Sequence, residues 1–314
     1  MFLFYGAIVA VSFVIYKIYN KLTCGKCTCD TKMQNKVVLV TGSNTGIGYE
    51  TAKDLAHRGA RVILACRDMQ KGTNAKDEII NITGNKHVIL KHLDLASFKS
   101  VRKFADDILK TESRLDVLIN NAGMGNLDNH LTEDNLPVET QVNYFGPFLL
   151  TILLLPLLKS SAPSRIINVA SMLHKIGKVD VVNFDKPAKS RLLQRRVYSD
   201  TKLGNVLFTM KLSEVLKGTG VTANSLHPGA VSTEIFRNVN PLWKLMLRLL
   251  FKSPKEGAQT SIHLAVAPEL SKTTGKYFSD CRESTASSRA RDRELAEKLW
   301  ELSENVVFAN KKGL

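Results

Sequence analysis

Tyr198 and Lys202 stand four positions apart in the run VYSDTKLGNVLF, and on a helix that spacing puts both side chains on one face. A free tyrosine releases its proton near pH 10. A cation about 4 Å away, at an effective dielectric of about 20, contributes roughly 4 kcal/mol, or about three pK units. The pair is therefore expected to make Tyr198 an acid/base near neutrality. Solvated helices carry the same pair by chance, so its company matters. Ser171 closes the β-branched run RIINVAS, and Asn120, Asn121, Ala122 and Gly123 follow LDVLI. Polar residues at the tips of buried strands are where open α/β sheets keep their chemistry.

Upstream, the turn TGSNTGIG from Thr41 to Gly48 joins an apolar strand pattern to a helix-like segment. Glycine lets backbone approach a diphosphate at a helix N-terminus. Gly42, Gly46 and Gly48, with Ser43, Asn44, Thr45 and Ile47 between them, are candidates for a dinucleotide cradle, although packing alone also explains glycines in such turns. The next strand pattern ends in Cys66, Arg67 and Asp68, where an adenosine ribose would lie. An acidic residue there suits a free 2′-hydroxyl and arginine suits a 2′-phosphate, so Arg67 favours NADP over NAD provided Asp68 turns away. Asp94, with Leu95 beside it, would accept from the adenine amino group, cap the helix starting near Ser97, or both. Asn121, Ala122 and Gly123 would let the fourth strand's backbone lie against the cofactor. Pro228 and Gly229 would pass beneath the nicotinamide and Thr233 would reach its carboxamide or the diphosphate; a structural turn also accounts for the proline and glycine.

These residues need a scaffold, and the 314-residue chain has the length and composition to build one with a sizeable core. Strand patterns starting at Val37, Arg61, His87, Leu115, Arg165 and Val221 alternate with helical segments. Two successive βαβαβ runs predict a doubly wound parallel sheet with helices on both faces, the Rossmann architecture, as a single domain. The apolar run FGPFLLTILLLPLLK, interrupted by Pro147 and Pro156, reads as a buried or interface helix. PLWKLMLRLLF from Pro241 would cover an apolar ligand, touch a bilayer or pack as core. Ser253 and Pro254 mark a helix start. RELAEKLWELSENVV is amphipathic, with Leu295, Leu299, Trp300 and Leu302 facing the domain.

Residues 2 to 16 carry no charge and are followed by Lys17, Lys21, Lys26 and Lys32. At 1.5 Å per residue this stretch spans about 22 Å against a hydrocarbon core of about 30 Å, so it either spans with help from Ile18 and Tyr19 or attaches from one side. No basic residue precedes it and no small-residue cleavage site ends it, which argues against a removed signal. Flanking positive charge puts the rest of the chain in the cytosol. The expected layout is a membrane anchor over 1–19, a juxtamembrane linker over 20–35 and a catalytic domain over 36–314.

The formal net charge of +15 suits an anionic membrane surface; the basic residues form no stripe and no nucleic-acid motif is present. Five cysteines make no disulfide scaffold in a chain this long. Cys24, Cys27 and Cys29 in CGKCTC lack evident histidine or cysteine partners nearby, so no metal is expected; the cluster reads as a linker or an acylation site. Cys66 reads as core. Lys311 and Lys312 near the end match a dilysine retrieval signal of the endoplasmic reticulum, which chance also produces in a basic chain.

The TGxxxGxG turn, NNAG, Asn143, Ser171 and YxxxK together resemble the short-chain dehydrogenase/reductase family from about Lys36 to Ser279. RGARVILACRD, SAPSRIINVAS, KLGNVLFT, HPGAV, EGAQTS and GKYFSDC are similar to the membrane-bound retinol dehydrogenases within it. The resemblance implies that Tyr198 exchanges the substrate proton and that Lys202 lowers its pKa and holds the nicotinamide ribose. It also implies that Ser171 binds the carbonyl oxygen and that Asn143 supports a water relay. NADP(H) is the implied cofactor, and a lipophilic alcohol or aldehyde, foremost a retinoid, the implied substrate, with steroids or lipid aldehydes as the alternative. A cofactor-binding scaffold without turnover is a further alternative, disfavoured because every catalytic position is filled. The sequence leaves a homo-oligomer open. Where the related enzymes tend to carry NHLGHF, this chain has NYFGPF, with Tyr144 and Pro147 in place of both histidines. The stretch before Tyr198, with Arg191, Arg195 and Arg196, is its own. Both differences border the substrate side.

Overall fold

The computed structural model describes residues 23–125, 130–231 and 251–309. The expected anchor, Thr233, the stretch from Pro241 to Leu250 and the lysines near the C-terminus lie outside the described residues.

Short apolar runs become strands because they are covered on both faces, which removes any need to alternate with polar residues. All five residues of β1 (Val37–Thr41) are buried, as are all four of β4 (Val117–Asn120). With β2 (Arg61–Cys66), β3 (Val88–His92), β5 (Ser164–Val169), β6 (Val221–His227), β7 (Tyr277–Ser279) and β8 (Arg282–Ser284) they form one sheet in the order β3-β2-β1-β4-β5-β6-β7-β8. Pairing is parallel up to β7, and β8 closes the edge antiparallel. The six predicted strands are present. The two extra ones are three residues each, too short to show a periodic pattern.

The helices are α1 (Gly46–His57), α2 (Met69–Thr83), α3 (Phe98–Thr111), α4 (Val138–Ser160), α5 (Arg191–Val215), α6 (Pro254–Val266) and α7 (Arg293–Phe308). One face of the sheet buries Phe104, Phe148, Leu154, Leu207 and Trp300 from α3, α4, α5 and α7; the other buries Leu55, Ile79, Ala258 and Ile262 from α1, α2 and α6. Among the described residues, only α4 is apolar and long enough to cross a membrane, and most of its apolar stretch is buried inside the domain, as the run from Phe145 suggested. On α7, Leu299 and Trp300 are buried and Leu295 and Leu302 pack partly against the same core. Ser253 starts α6 through a full capping box with Glu256 and Pro254 in the first turn.

The linker departs from the polar tether expected over 20–35. Met33 is buried in the core, and Gly25 and Cys27 donate backbone hydrogen bonds to Asp280 and Gln259.

Candidate active site

Chain order reverses across β1 and β4, which opens a crevice at their C-terminal ends. The glycine turn occupies one wall. Gly42 and Gly46 have φ of 64° and 61°, a region side chains rarely enter. A Cβ on Gly48 would lie 2.4 Å from the Asn121 side chain and from the Gly42 carbonyl, so the turn closes only around glycine. Thr41, which sequence reasoning passed over, welds the two strand tips: its hydroxyl accepts from the Asn121 and Ala122 N–H groups at 3.0 Å each, while Asn121 Nδ2 donates back to the Thr41 carbonyl at 2.9 Å.

The crevice holds about 380 Å³ and is lined by Gly42, Asn44, Thr45, Gly46, Ile47 and Gly48 on one side and by Asn121, Ala122 and Gly123 on the other. Arg67, Asp94 and Leu95 also line it, as does Lys71, a second cation that sequence reasoning missed because it sits one turn into α2. Asp68 caps α2, accepting from the Lys71 N–H at 3.0 Å, which leaves the cations Arg67 and Lys71 to set the local charge. Two candidates behave differently from expectation. Ser43 is fully buried and its hydroxyl donates to the Val40 carbonyl at 2.9 Å, so only its backbone remains for a ligand. Asp94 does not cap α3; Ser97 does, and the Asp94 carboxylate accepts from Ala96 N–H at 2.9 Å.

Cations for a phosphate and a glycine cradle that a Cβ would obstruct fit a dinucleotide. Beyond Gly123 lie the residues expected from the sequence to transfer the proton. A Cβ on Gly123 would sit 3.2 Å from Lys202 Nζ and 3.4 Å from Asn143 Oδ1, so these three positions converge. Tyr198 and Lys202 share the inner face of α5, with Nζ 5.5 Å from the phenol ring centroid. The Tyr198 and Ser171 hydroxyls share a hydrogen bond. Asn143 lies in a π-helical turn, Gln141–Phe145, inside α4. There its Oδ1 accepts from Met124 N–H at 2.7 Å and its Nδ2 donates to the Met124 carbonyl at 2.8 Å and to Thr201 Oγ1 at 3.2 Å.

The electrostatics overturn one expectation. Burial pushes the Tyr198 phenol up to about 12, with Glu139 adding to the rise and the Ser171 bond opposing it. Burial also draws the Lys202 ammonium down to about 8, against Glu139. In the protein alone, desolvation of the phenol sets the direction, and the Lys202 Nζ donates to the Val169 carbonyl at 3.0 Å. Glu139, 1% exposed, was illegible because an acid in the first turn of α4 reads as ordinary helix chemistry.

His174 is a second omission. Its Nε2 accepts from Ser287 N–H at 3.2 Å, which leaves Nδ1 to donate to the Ser171 carbonyl at 2.7 Å and fixes the tip that carries Ser171. On the next strand His227 is locked likewise: Nδ1 accepts from Gly229 N–H at 2.9 Å and Nε2 faces Ser279 Oγ at 2.9 Å. Pro228 and Gly229 follow directly, Gly229 with φ of 88°. A separate cavity of about 350 Å³ lies between residues 178–189 and the start of α5; it contains Arg196 and shares no lining residue with the crevice.

The model of the family described as short chain dehydrogenase matches residues 36–242. Retinol dehydrogenase 12 of Mus musculus is 47% identical over 282 residues, covering 89% of this chain and 88% of that protein. Retinol dehydrogenase 11 of Mus musculus is 44% identical over 303 residues, covering 94% and 95%. Among solved structures, an uncharacterized protein from Mycobacterium Paratuberculosis superposes with a TM-score of 0.71 at 31% identity, covering 90% of this chain and 97% of that one. The Pseudomonas aeruginosa RhlG/NADP active-site complex does so with a TM-score of 0.63 at 25% identity, covering 79% and 96%.

Proposed function

The chain belongs to the short-chain dehydrogenase/reductase family and is an oxidoreductase, and from that premise we propose that it interconverts a lipophilic alcohol and its carbonyl form, retinol and retinal foremost, using NADP(H). The observation that carries this reading is the convergence of Tyr198, Ser171, Lys202 and Asn143 beside Gly123 at the mouth of the crevice. The substrate class is supported by the relatives' names, and NADP by the paired Arg67 and Lys71 with Asp68 held as a helix cap.

The dinucleotide, when bound, supplies or takes the hydride. The residues that would hold it are the 42–48 turn for the diphosphate, Arg67 and Lys71 for the 2′-phosphate, Asp94 and Leu95 for the adenine, Asn121 to Gly123 along its length, and Pro228, Gly229 and Thr233 near the nicotinamide. The protein's own task is to hold and move a proton. Tyr198 gives its proton to the substrate oxygen in reduction and takes it back in oxidation, while Ser171 donates to that same oxygen and keeps it near the phenol. Lys202, still protonated at neutral pH, is the positive charge beside the phenolate as it forms, so its influence is exerted during transfer and not in the resting protein. Asn143, fixed by the Met124 backbone, orients the water next to the lysine.

The uncharged stretch over residues 2–16 and the lysines after it support attachment to the endoplasmic reticulum membrane, with the catalytic domain in the cytosol. The decisive experiment is a substrate panel on the purified full chain in detergent, comparing retinal, steroid ketones and medium-chain aldehydes with NADPH and NADH. Retinal turnover with NADPH preferred is the expected result. A preference for steroid ketones or aldehydes would replace the retinoid assignment, and silence on all three would overturn the catalytic reading. Alkaline carbonate extraction of cell membranes should leave the full chain in the pellet.

A further inference from the structure

Away from the crevice, the segment leading into β1 carries a group that the reaction does not use. Cys27 and Cys29 are two positions apart, and their sulfurs lie within 4.8 Å of each other. Both residues face α6. The Cys27 N–H donates to Gln259 Oε1 at 3.1 Å, and one helical turn further along α6 stands His263, whose Nδ1 is 3.9 Å from Cys29 Sγ. The Cys27 and Cys29 sulfurs and one His263 ring nitrogen all lie within 4.8 Å of one another. The sequence offered no partner for these cysteines because the histidine is 234 residues downstream and reaches them only through the fold.

We propose that Cys27, Cys29 and His263 form a binding site for one zinc ion that ties the segment preceding β1 to α6. Two thiolates and an imidazole are the donors zinc prefers. With Zn–S near 2.3 Å and Zn–N near 2.0–2.1 Å, a tetrahedral site has ligand-to-ligand edges of roughly 3.5–3.8 Å. The 3.9 Å separation of Cys29 Sγ and His263 Nδ1 is already close to such an edge. Anchoring on either side supports the geometry: Gly25 N–H donates to Asp280 Oδ1 at 3.0 Å, and Arg58 Nη1 donates to the carbonyls of Cys29 at 2.7 Å and Thr31 at 3.1 Å. All three ligand residues are half-buried, which leaves the fourth position to water. α6 also touches the crevice, since a Cβ on Gly257 would lie 3.2 Å from Ile47 Cγ1. The ion therefore stiffens the helix that backs the glycine turn.

The test uses the full chain, purified in detergent under a phosphine reductant and titrated with Co²⁺. One equivalent is expected to give thiolate-to-cobalt charge-transfer bands in the near ultraviolet and tetrahedral d–d bands in the visible, both bleached by equimolar Zn²⁺. Cys29→Ser and His263→Gln should lose the tetrahedral bands, Cys24→Ser should keep them, and NADPH binding should persist in all three. X-ray absorption of the zinc-loaded wild type, which needs no variant to fold, should show two sulfurs and one imidazole nitrogen in the first coordination sphere. A weak octahedral cobalt spectrum in the wild type, tetrahedral bands that survive in Cys29→Ser, or a Cys27–Cys29 disulfide as the form isolated from cells would each overturn the site.

Discussion

At the residue scale the fold makes two sharp demands of its titrating groups. Tyr198→Phe removes the proposed proton donor while leaving the crevice intact, so turnover is expected to fall by at least about 100-fold with NADPH affinity unchanged by fluorescence titration. Unaltered turnover would remove Tyr198 from the chemistry. Arg67→Ala and Lys71→Ala each take one cation from the proposed phosphate position; each should weaken NADPH about tenfold or more and NADH hardly at all, and equal losses for both dinucleotides would argue for a packing role. The histidines predict acid sensitivity. Burial lowers His227 to about 4, with Lys252, His174 and Lys175 pushing the same way and Asp280 opposing; burial lowers His174 as well. Because the folded state resists protonating them, their stabilising contribution is present above the ordinary histidine value of 6.5 and is lost as pH falls below it, for His227 down through about 4. For His227 the loss is on the order of 3 kcal/mol. Urea midpoints measured from pH 7 to 4 should fall steeply for the wild type and more gently for His227→Asn. Tyr198 and Lys202 were readable because they sit on one helix at helical spacing. His174 and Glu139 were not, since their importance comes from Ser287 and from the buried amine, groups that only the tertiary fold brings near.

At the element scale, two short irregularities position the site. The turn from Thr41 to Gly48 was legible because glycine alone tolerates the backbone path, and Gly48→Ala should both abolish NADPH binding and lower the melting temperature, since its Cβ meets the Gly42 carbonyl backbone as well as the Asn121 amide that ties the two strand tips together. The π-helical turn around Asn143 was not legible, because a single widened turn in an apolar helix leaves the periodic pattern nearly unchanged. That turn also sets Tyr144, fully buried, to share a hydrogen bond of 2.9 Å with Ser303 on α7. Tyr144 therefore bolts the C-terminal helix to the element that carries Asn143. Its neighbour in that contact, Trp300, packs 5.2 Å from Phe148 and 5.9 Å from Phe208 between ring centroids. Trp300→Ala should cost about 3–5 kcal/mol in denaturant unfolding, whereas Tyr144→Phe should cost only about 1 kcal/mol.

At the scale of the whole molecule, strand order and the two-sided core followed from the alternation of apolar runs and helical segments, because a covered parallel sheet leaves that imprint in sequence. What it could not convey was where two further segments dock: the segment before β1 lies against α6 and the hairpin of β7 and β8 lies beyond β6, both through contacts distant in sequence. That hairpin has a consequence for how copies of the molecule can meet. Its outer strand is three residues long, fully exposed, and reads Arg282, Glu283, Ser284, while the opposite border, β3, carries Lys91 and His92. Short, charged margins of this kind repel a foreign backbone seeking hydrogen-bond partners. Copies of this domain are accordingly not expected to join edge to edge into ribbons through β3 or β8.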